Sequence, residues 1–450
     1  MTVNRPVDRM LREAARRRSA HMPGHKGRAP YGPADLYALD TTELPVTDDL
    51  MHPRGAVLEA ERLYAEEVGA ARTLFLTGGS TAAVHVMLQL WAREGDTVIL
   101  PRNAHLSAVN ACIIGGLRIA WIPCRQTADG YVYIAEQDAL QTLKAHPGAK
   151  CILLTRPDYY GGMIPLARIS ALAGAMGIRL AVDEAHGAHL PWLEGFDSAA
   201  SFGADAWAQS AHKTLPALTG SALLHLRDPA DERRAMALLR REQSSSPSYL
   251  LVRSVDDARA WMAAEGAARL RETVRAANAL REHLPDAARN WAETGYDFDP
   301  TRLTVDAPQG GFALEAALRE KGLDVEMADA RRVVLILTVM DTPADIRAME
   351  ALFPPADDHA AQIPGPDPPP PLPEAVLTVR EAAMAQSEPV PLTKAAGRIA
   401  AEAVGLYPPG IPLAVPGERL TEDILAQLLA APEAMRFGTE GDTIHAVRDL

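Results

Sequence analysis

The segment Gln209-Ser-Ala-His-Lys-Thr-Leu-Pro216 sets one lysine, Lys213, among Ser210, His212 and Thr214, just beyond an apolar run. A lysine amine condenses with an aldehyde to a Schiff base, and hydroxyl and imidazole N–H groups beside it can hold an anion. The plain alternative is a surface lysine in a loop, a common situation. A second segment, Leu180-Ala-Val-Asp-Glu-Ala-His-Gly-Ala-His189, ends an apolar run in Asp183, then Glu184, His186 and His189. In open α/β sheets the ligand lies at the carboxyl ends of the strands, where Asp183 falls. Pyridoxal phosphate needs a carboxylate opposite its ring nitrogen, because keeping that nitrogen protonated makes the ring an electron sink. A capping acid or a metal cluster competes for the same residues. The spacing does not match H-E-x-x-H, and adjacent side chains on an extended segment point opposite ways.

Two further segments carry weaker signals. In Leu76-Thr-Gly-Gly-Ser-Thr-Ala82, Gly78 and Gly79 let the backbone approach an anion, while Ser80 and Thr81 can cap a helix and donate to phosphate oxygens. An ordinary helix cap reads the same way, and the spacing is not that of a P-loop. In Pro101-Arg-Asn-Ala-His-Leu-Ser107, His105 could lie flat on a cofactor ring, or simply start a helix. Phosphate turn, histidine, acid and lysine follow one another in that order, each just after a predicted strand.

The elements that must position these residues alternate. Helical periodicity covers Ala56–Val68, Ser80–Arg93, His105–Gly115 and Ile169–Met176, and buried-strand runs cover Thr73–Leu76, Thr97–Leu100, Leu117–Ile122, Lys150–Thr155 and Ile178–Val182. Such βα alternation predicts a mostly parallel sheet with helices on both faces. Ala204–Gln209 and Ser221–Leu226 add two candidate strands, and Asp231–Arg241 and Asp256–His283 two amphipathic helices. Leu303–Val305, Phe312–Glu320 and Val333–Thr338 read as strand–helix–strand of a smaller α/β domain. The prolines at 364, 366, 368–371 and 373 make a stiff extended linker. The expected organisation is an N-terminal arm (1–55, with a short helix near Asp8–Arg17), a large domain (56–245), a small α/β domain (246–360), the linker (361–373) and a C-terminal domain (374–450).

Composition narrows the function classes. The 450 residues carry 45 basic and 58 acidic side chains, a net charge of −13, with 48% hydrophobic and 23% charged residues. These are globular values, and the acidic balance argues against nucleic-acid and membrane-surface partners. No apolar run reaches the length of a membrane span. Cys112, Cys124 and Cys151 form no ligand-like pair, which fits a reducing, cytoplasmic setting. The arginines at 5, 9, 12 and 16–18 lack an apolar core for a secretory signal, and Asp8 and Glu13 interrupt a transit-peptide pattern.

The order of the four chemical segments matches the large domain of aspartate-aminotransferase-like (fold type I) pyridoxal-phosphate enzymes. A closer resemblance rests on seven segments in order: His21-Met-Pro-Gly-His-Lys-Gly27, Thr42-Glu-Leu-Pro45, Asp158-Tyr-Tyr-Gly161, Asp183 to His189, Ser210 to Thr219, Ser246-Pro-Ser-Tyr-Leu250 and Tyr407-Pro-Pro-Gly-Ile-Pro412. Together they resemble the Orn/Lys/Arg decarboxylase family (group III), in its short form without an N-terminal wing domain. The resemblance implies pyridoxal 5'-phosphate bound through Lys213, with Asp183 at the ring nitrogen, and His105 and Ala185 on the two ring faces. Gly79, Ser80, Thr81, Ser210 and His212 would hold the phosphate, with Ser246 reaching a neighbouring subunit's phosphate across a homodimer or larger homo-oligomer. Lys213 or His186 would protonate the substrate's α-carbon, Glu326 would meet its distal cationic group, and no metal is called for. The implied reaction is decarboxylation of arginine, then lysine or ornithine, to the amine and CO2, in polyamine synthesis or acid resistance. An aminotransferase or β-lyase on the same scaffold, with Arg156 as a carboxylate clamp, and a non-catalytic cofactor-binding regulator are the competing functions.

Overall fold

A computed structural model describes residues 3–16, 26, 28, 33–285, 287–307, 310–354, 368–407 and 410–448. The His21–Gly27 segment apart from Lys26, the start of the proline-rich linker and Pro408–Pro409 lie outside the described residues. Seven strands share one sheet: β1 (Arg72–Leu76), β2 (Thr97–Pro101), β3 (Arg118–Ile122), β4 (Cys151–Thr155), β5 (Arg179–Asp183), β6 (Ala206–Gln209) and β7 (Ala222–Leu226). Their order is β1-β7-β6-β5-β4-β2-β3. β2 runs parallel to β3 and β4, and β5 parallel to β6, while β7 is antiparallel to β1 and β6. Val98, Ile99 and Leu100 are buried without alternation, as are all five residues of β1 and of β7. Continuous burial marks a sheet covered on both faces, which is why these strands read as unbroken apolar runs. The chain divides into two compact units, residues 1–90, 181–275 and 337–343, and residues 91–180, 276–336 and 344–450.

In the first unit the helix Ala56–Val68 ends at Gly69, whose φ of +71° gives a left-handed cap. The N-terminal helix spans Pro6–Ala14, with proline in its first turn. It is tied down by the buried Asp256, which accepts from Val7 N at 3.1 Å, and by Arg259, which donates to Asn4 O. The helix expected over Asp256–His283 starts earlier. It runs Tyr249–Trp261, passes through a π segment at Met262–Gly266 and continues over Ala267–His283. Asp256 and Asp257 look like a first turn in the sequence, yet Asp256 sits mid-helix because Arg259 and Val7 N neutralise it. Gly266 fits the π segment because a Cβ there would lie 2.6 Å from Met262 Cε.

The second unit holds a small antiparallel sheet, Arg302–Asp306 against Arg332–Ile336 against Met327–Ala328, with the helix Gly311–Glu320. The C-terminal residues form two three-stranded sheets around a core that includes Val404, Leu420, Ile424, Leu428 and Ile444. A buried ion pair ties them to the loop after β2: Arg102 reaches both Glu418 carboxylate oxygens at 2.8 Å and lies 4.7 Å over the Trp121 ring. Among the cysteines, burial pushes Cys151 up to about 12, so its thiol stays protonated.

The Asp158-Tyr-Tyr-Gly161 segment builds an aromatic cluster in this unit. Asp158 accepts from Tyr160 N at 2.9 Å, Gly162 N at 2.8 Å and Tyr131 Oη at 2.5 Å. Tyr131 stacks on Trp291 with centroids 4.1 Å apart. Burial pushes the Asp158 carboxyl up to about 6, against the hydrogen bonds that favour its charged form. The folded chain therefore holds this proton more tightly than the unfolded one, where aspartate titrates near about 4. Its contribution to stability is complete below about pH 4 and is lost as pH rises through about 6, a change of about 3 kcal/mol. Asp158→Asn keeps an oxygen for the two backbone donors and an amide for Tyr131. Urea unfolding of this variant should lack that component, so its stability relative to the parent rises between pH 4 and pH 6. Parallel pH profiles for the two proteins would refute the assignment.

Candidate active site

The site is built where β5 and β6 end side by side in the first unit. The two strands are parallel, with Asp183 opposite Ala208. Their ladder continues past the strands through Glu184 N to Ala208 O at 2.9 Å and Ser210 N to Ala185 O at 3.3 Å. Side chains leaving both ends therefore emerge one strand spacing apart. Lys213 sits in the short helix Ala211–Thr214 after β6, and His186 in the loop after β5. Lys213 Nζ lies 2.9 Å from His186 Nε2. An ammonium donates to a neutral imidazole at that distance, so the two groups can hold one proton between them. Asp183 is buried, with Oδ1 accepting from Ala185 N at 3.1 Å, and Ala185 is buried beside it.

The glycine turn comes up against this pair from β1. Gly79 has φ +70°, a conformation that favours glycine, and opens the helix Gly79–Trp91. Its N–H donates to Gly220 O at 2.9 Å, which ties the turn to the chain beyond Lys213. Ser210 Oγ donates to Ser80 Oγ at 2.9 Å, so hydroxyls from two elements meet at one point. His212 Nδ1 lies 2.9 Å from Ser221 O, which fixes that nitrogen as the donor and turns Nε2 away from it. A Cβ on Gly79 would meet nothing within 4 Å, so the space over the turn is open. Helix-end amides and hydroxyls at an open turn suit a phosphate. Asp183 suits a protonated ring nitrogen, and Lys213 an aldehyde. The residues present thus fit the cofactor that the sequence implied.

A fully buried polar row lies beneath, and the sequence did not reveal it. Glu184 accepts from Ala199 N and from Gln209 Nε2, both at 2.7 Å. Gln209 Oε1 is 3.1 Å from His225 Nε2, and His225 Nδ1 is 2.8 Å from Thr73 Oγ1. Asp183 and Glu184 thus turn to different partners, as neighbours on an extended segment must. Burial pushes His225 down to about 3, so the ring is neutral. The available signal was a histidine and a glutamine inside otherwise apolar strands.

Three further expected residues have surroundings of their own. Ser246 is exposed, and its N–H donates to Ser244 Oγ at 3.1 Å. His105 belongs to the second unit, where it is exposed and caps the helix Leu106–Gly115, with Nδ1 accepting from Ser107 N at 3.2 Å. Glu326, also in the second unit, is exposed, and its N–H donates to Val334 O at 3.0 Å at the edge of the small sheet.

Family comparison decides the assignment of the whole chain. Residues 9–304 match the model of the Orn/Lys/Arg decarboxylase major domain, and residues 370–437 that of its C-terminal domain. The chain belongs to the Orn/Lys/Arg decarboxylase family. It is 32% identical to an arginine decarboxylase of Bacillus subtilis, over 95% of this chain and 94% of that protein. The lysine decarboxylase LdcF of Francisella novicida superposes with a TM-score of 0.84 at 18% identity, covering 99% of this chain and 81% of that one. A structure of SPT with PLP superposes at 0.56 and 17% identity, over 78% of this chain and 83% of that one. The family fold is thus the aspartate-aminotransferase-like (fold type I) architecture, with a mostly parallel seven-stranded sheet and a C-terminal domain. Among the described residues no helix is long and apolar enough to cross a membrane.

Proposed function

We propose that this chain is a pyridoxal-phosphate-dependent decarboxylase of basic amino acids, with arginine preferred over lysine and ornithine. The observation that carries the reading is the 2.9 Å contact of Lys213 Nζ with His186 Nε2, beside the buried Asp183 at the ends of two parallel strands. The likeness to an arginine decarboxylase over nearly the whole chain supports the substrate choice. Bound pyridoxal phosphate would supply an electron sink for the pair left when CO2 departs.

The chain's own residues divide the remaining work. Lys213 offers the amine that holds the cofactor and yields it to the substrate. Asp183 keeps a proton on the ring nitrogen. Ser80, Thr81 and Ser210 grip the phosphate at the turn of Gly79, whose own N–H is committed to Gly220 O. His212 joins them through Nε2, its Nδ1 being committed as the donor to Ser221 O. The Lys213–His186 pair holds the proton that goes to the substrate's α-carbon after CO2 leaves. His105 covers one ring face and Ala185 the other. Glu326, exposed on the small sheet, takes the distal cation of the substrate. Ser246, exposed on its loop, reaches the phosphate of a second copy in a homodimer with shared sites. The compartment that fits three free cysteines is the cytoplasm.

The test is CO2 release and amine formation by purified protein with added pyridoxal phosphate, run on arginine, lysine and ornithine in parallel. Agmatine from arginine, at the highest kcat/KM of the three, is the expected result. Cadaverine or putrescine as the main product would keep the reaction and overturn the substrate choice. Keto acid without CO2 would overturn the reaction.

A further inference from the structure

We propose that Glu184 is a positioning residue: acting through Gln209, it locks together the strand ends that carry Asp183, His186 and Lys213, and so sets the Lys213–His186 contact. The inference rests on the functional reading above and deepens it. Four neighbouring strands contribute one side chain each to a continuous row: Thr73 on β1, His225 on β7, Gln209 on β6 and Glu184 directly after β5. All four are buried, each with a relative exposure of 0%.

The row has one polarity, and Glu184 sets it. A carboxylate only accepts, so the Gln209 amide must present Nε2 to it. Gln209 Oε1 is then the acceptor, and His225 Nε2 must carry the hydrogen. A neutral ring protonated at Nε2 accepts at Nδ1, so the Thr73 hydroxyl donates there. Each orientation follows from the one before it, starting at the charge.

Position in the sequence makes the row more than a strand tether. Glu184 follows Asp183 directly and precedes His186 by two residues. Gln209 precedes Ser210 directly and Lys213 by four. Glu184 also accepts from Ala199 N, which anchors the loop carrying His186 to a segment fifteen residues further on. An apolar pair would hold β5 and β6 at the same spacing, and a buried carboxylate is expensive to keep. What the carboxylate adds is direction: it fixes where each strand end stops, two and four residues before the groups that handle the proton. A misplacement of about 1 Å at such groups costs about a hundredfold in rate.

The row predicts its own rescue. In Glu184→Gln the new amide offers its oxygen to Ala199 N–H and its NH2 group faces the Gln209 NH2, unless the Gln209 amide turns over and His225 moves its hydrogen to Nδ1, which reverses the row. In Gln209→Glu two carboxylates meet. In the double exchange the new amide at 184 accepts from Ala199 N–H and donates to the new carboxylate at 209, which accepts from His225 Nε2–H. Every donor of the row again has its acceptor.

The experiment compares holoenzymes of the parent, the two single variants and the double exchange. The measurements are kcat and KM for arginine, the pH titration of the visible absorbance of the lysine-bound cofactor, and the thermal midpoint. In each single variant kcat should fall by about tenfold to a hundredfold, with KM within about threefold and the absorbance titration displaced. The double exchange should return kcat and the absorbance titration to within about threefold of the parent. Single variants that only melt earlier, with the parent's kcat and absorbance titration, would overturn the proposal. A double exchange no better than the worse single variant, or one that does not fold, would overturn it equally. If the parent itself releases no CO2 from arginine, the functional reading falls, and the absorbance titration still decides the role of Glu184.

Discussion

Replacing Lys213 with alanine is expected to lower kcat by roughly four to six orders of magnitude, the scale seen when a nucleophile that works as part of a unit is removed. Two losses coincide in this change. The amine that would hold the cofactor disappears, and His186 Nε2 loses the group 2.9 Å away with which it holds a proton. Lys213→Arg separates charge from chemistry. A guanidinium keeps the positive charge but is neither a nucleophile nor a proton donor near neutral pH. Both variants should lack the visible absorbance of a lysine-bound cofactor and should be equally inactive. A small primary amine added to Lys213→Ala should restore part of the turnover, because it replaces the missing group without the chain. If Lys213→Arg kept a tenth or more of the parent's kcat, the residue would be acting as a charge, and the proposed role of its amine would be wrong.

The parts of this site that could be read from the sequence are those whose chemistry is local. A lysine among hydroxyls, a glycine pair before Ser80 and an acid at the end of an apolar run each announce themselves within a few residues. The strand–helix alternation was legible for the same reason, since burial on both faces leaves unbroken apolar runs such as Val98–Leu100. The helix through Asp256 was misjudged because its stability depends on a partner about 250 residues away, Val7 N. The row from Thr73 to Glu184 was missed because its members are scattered over four strands. Within its apolar strand His225 has no local partner, and both of its hydrogen bonds go to neighbouring strands. The Arg102–Glu418 pair is a similar case, its partners lying 316 positions apart. Long-range polar pairs have no period and no fixed spacing, so pattern reading does not reach them.

Asp183→Asn is expected to lower kcat by about a thousandfold while leaving the cofactor attached. The substitution is nearly isosteric. Its oxygen can still accept from Ala185 N, as Asp183 Oδ1 does at 3.1 Å, so the chain beyond β5 should keep its course. What goes is the negative charge, held in a buried place where little solvent screens it. Without that charge the ring nitrogen gives up its proton near neutral pH, and the ring accepts electrons poorly. Binding of arginine does not use this charge, so KM should stay within about threefold. Lys213 is untouched, so visible absorbance should persist, in contrast to Lys213→Ala. The two variants therefore fail differently: one loses the attachment, the other keeps it and loses the sink. Asp183→Glu restores the charge but pushes it forward by one methylene in a buried site, and should recover only part of the rate. A kcat for Asp183→Asn within tenfold of the parent would mean that the carboxylate caps the turn at Ala185 and does nothing for the ring. The electron-sink role would then have to be reassigned.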